Sequence, residues 1–137
     1  MSSNRAKNTK LEVLIRRRLH AKGFRYGLHA RHLPGRPDLV LTRWRAVVFI
    51  NGCFWHGHDC ARFKLPRTNV EYWRSKIEGN RARDAVNRAE LIRLGWRILT
   101  IWECAVRRAS EDSIASVVDE IANWIRSESP SIEITEN

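Results

Sequence analysis

Long apolar runs are missing from this sequence. The longest, AVVFI at residues 46–50, falls far short of the roughly 20 residues that cross a bilayer, so no membrane partner is expected. The amino terminus, MSSNRAKNTK, is polar and basic without an apolar centre, unlike a secretory leader. Cysteine is scarce: three residues, an odd number with no export signal, argue for reduced thiols and a cytoplasmic address rather than a disulfide scaffold. Acidic side chains are also short, 15 Asp and Glu against 25 Lys and Arg, for a formal charge of +10. That balance favours a polyanionic partner, and nucleic acid first. No repeat of 20 to 50 residues and no low-complexity block is present, which excludes solenoids and arrays. What remains is one globular domain over residues 1–137, long enough to bury a core without staples.

Periodicity places the elements. Leu11, Leu14, Ile15 and Leu19 share a face of a helix from about Lys10 to Lys22. Gly23 ends it, and Thr9 and Glu12 stand at capping-box spacing before it. Phe24, Tyr26 and Leu28 alternate with polar or small residues as on a half-buried strand. HARHLPGRP is loop, DLVL a short strand, and Ala46–Ile50 a strand covered on both faces. A helix is expected from Thr68 to about Leu94, with Glu71 three residues after Thr68, a bend near Gly79 and a stop at Gly95. RILTIW, residues 97–102, reads as a fourth strand, and Ile114, Val117, Val118, Ile121, Trp124 and Ile125 line one face of a last helix. Past Pro130 the tail has little to bury and is expected to be mobile. The order describes an α/β domain, a mixed sheet flanked by helices.

Chemistry concentrates in NGCFWHGHDC, residues 51–60. Cys53, His58 and Cys60 are three zinc-type donors within eight positions, and Cys104, just past the fourth strand, can close a tetrahedral site. A site closed by three thiolates and one imidazole leaves no open position, so that zinc would be structural. The alternative is three buried thiols packing as small apolar groups. His56 is not needed by the metal; it is either a general base near neutral pH or a solvated loop histidine. Phe54 and Trp55 suit stacking on, or wedging between, bases, or else belong to the core. Asp38 sits where a loop enters the sheet, and a hairpin of this length can bring it near residues 50–56. There its carboxylate and a backbone carbonyl can bind Mg²⁺, unless Asp38 merely completes a turn.

LPGRPD (33–38), GCFWHGHDC (52–60), FKLP (63–66), the EYWRSKIEGN to RARD stretch (71–84), LGWRILTIWECA (94–105) and NTKLE (8–12) together closely resemble the very short patch repair (Vsr) DNA mismatch endonucleases, in order and spacing from about Met1 to Arg107. The resemblance implies a restriction-endonuclease-like core of PD-(D/E)xK type. It also implies a Mg²⁺-dependent nick of one strand, on the 5′ side of the thymine in a T·G mismatch left by deamination of 5-methylcytosine. On this resemblance Asp38 binds catalytic magnesium and Ile50 offers its backbone carbonyl. His56 is the general base oriented by Asp84, and Glu12 supports the metal site through water. Cys53, His58, Cys60 and Cys104 hold structural zinc, and Phe54, Trp55 and Trp73 wedge into the duplex. The partners implied are double-stranded DNA, with functional links to a 5-methylcytosine methyltransferase and mismatch-repair proteins. A monomer suffices for one nick, and the expected location is the cytoplasm, in association with the nucleoid.

The chain departs from the family pattern at Asn51, where well-known members carry a second active-site histidine. Asparagine can hydrogen-bond a phosphate or a water but cannot shuttle a proton. The chain also begins near the end of the family's amino-terminal arm, which predicts weaker DNA grip or compensation by other residues. Two other readings stay open: a zinc-stabilised DNA-binding module with lost or weak catalysis, and a related nuclease with a different DNA target.

Overall fold

The computed structural model describes residues 9–54, 56–58, 60, 64–106 and 111–135. Strand alternation decides its layers. In β2 (Leu39–Leu41), β3 (Ala46–Asn51) and β4 (Arg97–Trp102), Leu39, Leu41, Ala46, Val48, Leu99 and Ile101 face one side. Val40, Val47 and Ile98 face the other. The first side is covered by α1 (Lys10–Ala21) through Ile15 and Leu19, and by α3 (Glu111–Ser127) through Ile114, Val118, Ile121 and Ile125. The second side packs on Leu91 of α2 (Val70–Arg93) and on Trp96. Because both faces are covered, these strands read as continuous apolar runs. The sheet runs β1-β2-β3-β4-β5, with β1 being Gly27–Leu28 and β5 Ile132–Ile134. The β1–β2 and β2–β3 pairs are antiparallel; β3–β4 and β4–β5 are parallel. None of the described helices is long and apolar enough to cross a membrane.

Both helix stops expected at glycine are present. Gly23 (φ +100°) donates to His20 and Phe24 to Leu19. Gly95 (φ +95°) donates to Ile92 and Trp96 to Leu91. Each is the paired C-terminal bond pattern that a left-handed residue allows. It also corrects the first strand. The Phe24 N–H is spent on the cap of α1, so Phe24 enters the core and only Gly27–Leu28 joins the sheet.

The start of α2 differs as well. Asn69, left-handed at φ 58°, is the N-cap, with no side-chain bond to the helix, and Glu71 turns to Arg74. The Thr68–Glu71 capping box is therefore out of register by one residue. The helix runs unbroken through Gly79.

The largest correction concerns the tail past Pro130. Residues 132–134 form β5, paired with Leu99–Ile101, and Ile134 is buried in the core. Burial of one such side chain is worth about 1.5–3 kcal/mol. Arg97 prepares the position: its guanidinium donates to the carbonyls of Trp44, Trp124, Ile125 and Ser129 and stacks on the Trp124 ring at 4.6 Å. Burial lowers the Arg97 pKa from its ordinary value, and the four acceptors offset the cost of desolvating the charge. Trp124 Nε1 then donates to the Pro130 carbonyl and the Ile98 N–H to Ser131 Oγ.

Candidate active site and metal centre

The parallel ladder of β3 and β4 ends at the pair Asn51↔Trp102. Consequently the loop after β3 and the turn after β4 emerge side by side at the carboxyl ends of the strands, where open α/β sheets build sites. Three clusters meet there.

The first joins α1, the loop before β2, and β3. Asp38 Oδ2 accepts the Ile50 backbone N–H at 2.7 Å, so the carboxylate is fixed to β3 as the hairpin predicted. Glu12 is only 3% exposed, and a carboxylate that deep needs partners. Its Oε2 meets His29 Nε2 at 2.5 Å and Arg16 Nη1 at 3.3 Å. Thr9 Oγ1 accepts the Glu12 N–H at 3.2 Å, so capping accounts for the Glu12 backbone but not for where its carboxylate goes. His29 Nε2 stands 3.9 Å from Asp38 Oδ1. One donor atom from each of Glu12, His29 and Asp38 falls within 4.8 Å of the others. His29 was not expected here; its only signal in the sequence is a histidine in the loop that leads to the RPD segment.

The second cluster is His56 with Asp84 of α2: Nδ1 and Oδ2 are 2.6 Å apart. A carboxylate can only accept, so Nδ1 carries the proton and Nε2 is left as the basic nitrogen. The loop reaches α2 through Gly57. At φ +62° it lies so close that an added Cβ would stand 2.6 Å from Ile77 Cγ2 and 2.7 Å from Arg81 Cδ. Ile77 is itself buried and cannot yield. Gly57→Ala is therefore expected to cost about 1–3 kcal/mol, the usual range for overpacking, and to move His56 away from Asp84. Denaturant unfolding together with the nicking rate checks this; a stability within experimental error of the parent would show that the loop simply shifts.

The third cluster is Cys53, His58, Cys60 and Cys104, whose ligand atoms all lie within 4.8 Å. None of the three cysteines is in a disulfide. Sulfur and nitrogen on one tetrahedral zinc stand about 3.6 Å apart, given bonds of about 2.3 and 2.1 Å; Cys104 Sγ and His58 Nδ1 are 3.6 Å apart. His58 Nε2 lies 3.2 Å from Thr135 Oγ1, the outer hydrogen bond that orients a metal-ligating imidazole. Its ring stacks on Trp102 at 4.1 Å and 6°. Burial pushes the Cys53 thiol far up; a hydrogen bond with the Cys104 backbone offsets part of this, and the Cys60 and Cys104 side chains push it up again. Such a thiol ionises when a cation shares the cavity, and the donor set fits zinc. Glu103 Oε1 accepts the Cys53 N–H at 3.1 Å. Neither Glu103 nor Thr135 was expected here.

Aromatic rings border the same loop. Phe54 meets Trp73 edge-on at 5.7 Å, and Trp73 meets Tyr72 at 5.1 Å. Tyr72 is 58% exposed and extends the set predicted from Phe54 and Trp73. Trp55 lies outside the described residues. Asn51 is buried at the end of β3.

A family model described as DNA mismatch endonuclease Vsr matches residues 1–62. The DNA mismatch endonuclease Vsr of Escherichia coli (strain K12) is 38% identical over 128 residues, covering 93% of this chain and 82% of that protein. The chain belongs to the Vsr family. It is accordingly a DNA endonuclease, and its mixed five-stranded sheet with helices is the architecture that the restriction-endonuclease-like resemblance implied. Two other proteins are similar over shorter spans. The Type II nicking enzyme V.XorIIP of Xanthomonas oryzae pv. oryzae (strain KACC10331 / KXO85) is 47% identical over 104 residues, 76% of either chain. The Type II nicking enzyme V.NmeAIP of Neisseria meningitidis serogroup A is 42% identical over 102 residues, 74% of this chain and 73% of that one.

Proposed function

We propose that this Vsr-family endonuclease uses Mg²⁺ to nick one strand of duplex DNA on the 5′ side of the thymine in a T·G mismatch, initiating repair of deaminated 5-methylcytosine. The observation that carries the reading is the sequence of contacts around the end of β3. Ile50 binds Asp38, and six residues later the same segment delivers His56 already paired with Asp84. An acid that can hold a metal and an imidazole with one nitrogen fixed are the two parts that phosphodiester hydrolysis needs.

In this reading Asp38 and the Ile50 backbone hold Mg²⁺, with Glu12 in support; the ion supplies charge neutralisation at the scissile phosphate. His56 Nε2 takes the proton from the attacking water, and Asp84 holds the ring by Nδ1–H and stabilises the imidazolium that forms. Asn51 can donate to a phosphate oxygen. Cys53, His58, Cys60 and Cys104 hold zinc, which ties the His56 loop to the end of β4. Phe54, Trp55 and Trp73 unstack the weakened pair beside the mismatch. The relatives' names support the two halves of this reading, mismatch endonuclease the target and nicking enzyme the single-strand cut.

The test is a panel of end-labelled duplexes carrying T·G, the other mismatches or matched pairs, with cleavage ends mapped. A cut of the T strand alone, 5′ of the mismatched thymine, present with Mg²⁺ and absent with EDTA, is the expected result. Equal cutting of matched duplex would remove the mismatch assignment in favour of another target. Tight binding to T·G duplex with no nick in Mg²⁺ or Mn²⁺ would favour a binding module, the reading that Asn51 supports. In every arm affinity should fall steeply with salt, since phosphate contacts release counterions.

A further inference from the structure

His29 belongs to none of the motifs that carry the family resemblance, yet it stands between the two acids of the first cluster. Its backbone is left-handed at φ 45°, a conformation that costs a non-glycine residue about 1–3 kcal/mol unless its surroundings enforce it. They do: the His29 N–H donates to the Asp38 carbonyl at 3.1 Å, directly after the ladder pair Leu28↔Leu39. The imidazole is thereby delivered to Glu12 and Asp38 by the same strand pairing that positions Asp38. Charge balance alone does not require it, because Arg16 already pairs with Glu12.

The distances suit a shared ion. Two ligands about 2.1 Å from one octahedral ion stand about 3.0 Å apart when adjacent and about 4.2 Å apart when opposite. His29 Nε2 to Asp38 Oδ1, at 3.9 Å, is close to the opposite spacing. The 2.5 Å contact between His29 and Glu12 opens by about half an ångström to reach the adjacent spacing. The ring then carries its proton on Nδ1 and presents the Nε2 lone pair, a change of tautomer with no net proton gained or lost.

We propose that His29 is a nitrogen donor of a divalent-metal site formed with Glu12 and Asp38, and that this site therefore favours Mn²⁺ over Mg²⁺ more than an all-oxygen site would. The proposal rests on the assignment of Asp38 as a metal ligand. Its chemistry is that imidazole bonds first-row transition ions, whereas Mg²⁺ is held by oxygen and water. It also gives the chain an imidazole at the metal although position 51 is asparagine.

The full chain, as purified, is titrated with Mn²⁺ and with Mg²⁺ by calorimetry, and the Mn²⁺ complex is measured by pulsed electron paramagnetic resonance for coupling to nitrogen. His29→Asn is the main variant, because asparagine tolerates the left-handed backbone; His29→Gln is the second, and thermal melts confirm folding of both. Nitrogen coupling is expected in the parent and absent from both variants. Their Mn²⁺ affinity should fall at least about 10-fold, since loss of even an outer hydrogen-bond partner of a metal ligand costs about 10–100-fold, while Mg²⁺ affinity changes far less. Asp38→Asn should weaken both ions. Retained nitrogen coupling with unchanged Mn²⁺ affinity in the His29 variants would overturn the proposal and leave His29 as a hydrogen-bond partner of Glu12. A parallel loss of both ions would also overturn it, since it shows positioning without nitrogen donation. If Asp38→Asn binds both ions as the parent does, the Asp38 assignment itself fails, and the three-residue site with it.

Discussion

Replacing His56 with alanine is expected to slow nicking of a T·G duplex by about 10²–10⁴-fold, the usual contribution of a positioned general base, with duplex affinity nearly unchanged. The structure separates these two effects. The His56 side chain is 10% exposed and its mapped polar contact is the 2.6 Å bond to Asp84, so removing it costs the fold about one hydrogen bond, ~1 kcal/mol. Asp84→Asn distinguishes orientation from mere presence. The amide keeps the shape but loses the charge that stabilises the imidazolium, and its NH₂ can turn the ring to the wrong tautomer. Its rate should fall between those of the parent and His56→Ala. Asp38→Ala should be at least as slow as His56→Ala, because it removes the acid that Ile50 fixes to β3. Single-turnover rates at saturating protein, beside binding isotherms without metal, provide the comparison. A His56→Ala rate within twofold of the parent would remove the base assignment and return His56 to the status of a loop residue stacked edge-on against Trp102.

The central strands were legible in the sequence because two-sided burial leaves continuous apolar runs between turn residues, as in 46–50 and 97–102. The helix ends at Gly23 and Gly95 were legible because a left-handed stop leaves a local mark. β5 was not. Ile-Glu-Ile is too short to show a period, and its burial depends on Arg97, remote in sequence, and on Trp124 of the preceding helix. The cysteine and histidine cluster could be read from donor types in one loop, and Cys104 could be added because all three cysteines then had a use. The pairing of His56 with Asp84 could not be read from spacing, since Asp84 lies 28 positions on, midway along α2; only the family resemblance joined them. His29 escaped both routes. A lone histidine in a polar loop looks solvated, and its role depends on a left-handed turn and an antiparallel register that no local pattern displays.

Cys104→Ser is expected to damage the fold before it damages the chemistry. Cys104 is fully buried on the turn after β4, and its partners come from the loop after β3 and from the tail: His58 Nδ1 at 3.6 Å and Thr135 Oγ1 at 3.3 Å. A zinc held by Cys53, His58, Cys60 and Cys104 would thus cross-link two segments, the loop after β3 and the turn after β4, that the backbone ladder leaves free to separate beyond Asn51↔Trp102. Structural zinc binding is worth about 10–16 kcal/mol in small metal-folded domains, and whole domains are stable by only about 5–15 kcal/mol. Losing half of the metal's contribution, about 5–8 kcal/mol, would therefore cancel a stability at the lower end of that range. The expected result is a zinc content falling from one per chain toward none, a melting temperature lower by ten degrees or more on the scale of about 2–4 °C per kcal/mol for domains approaching 150 residues, and poor soluble yield. Molecules that retain zinc should nick at close to the parental rate, because no ligand of this centre touches the His56–Asp84 pair. Full stability and full zinc content with nicking abolished would contradict a structural metal and move Cys104 into the reaction.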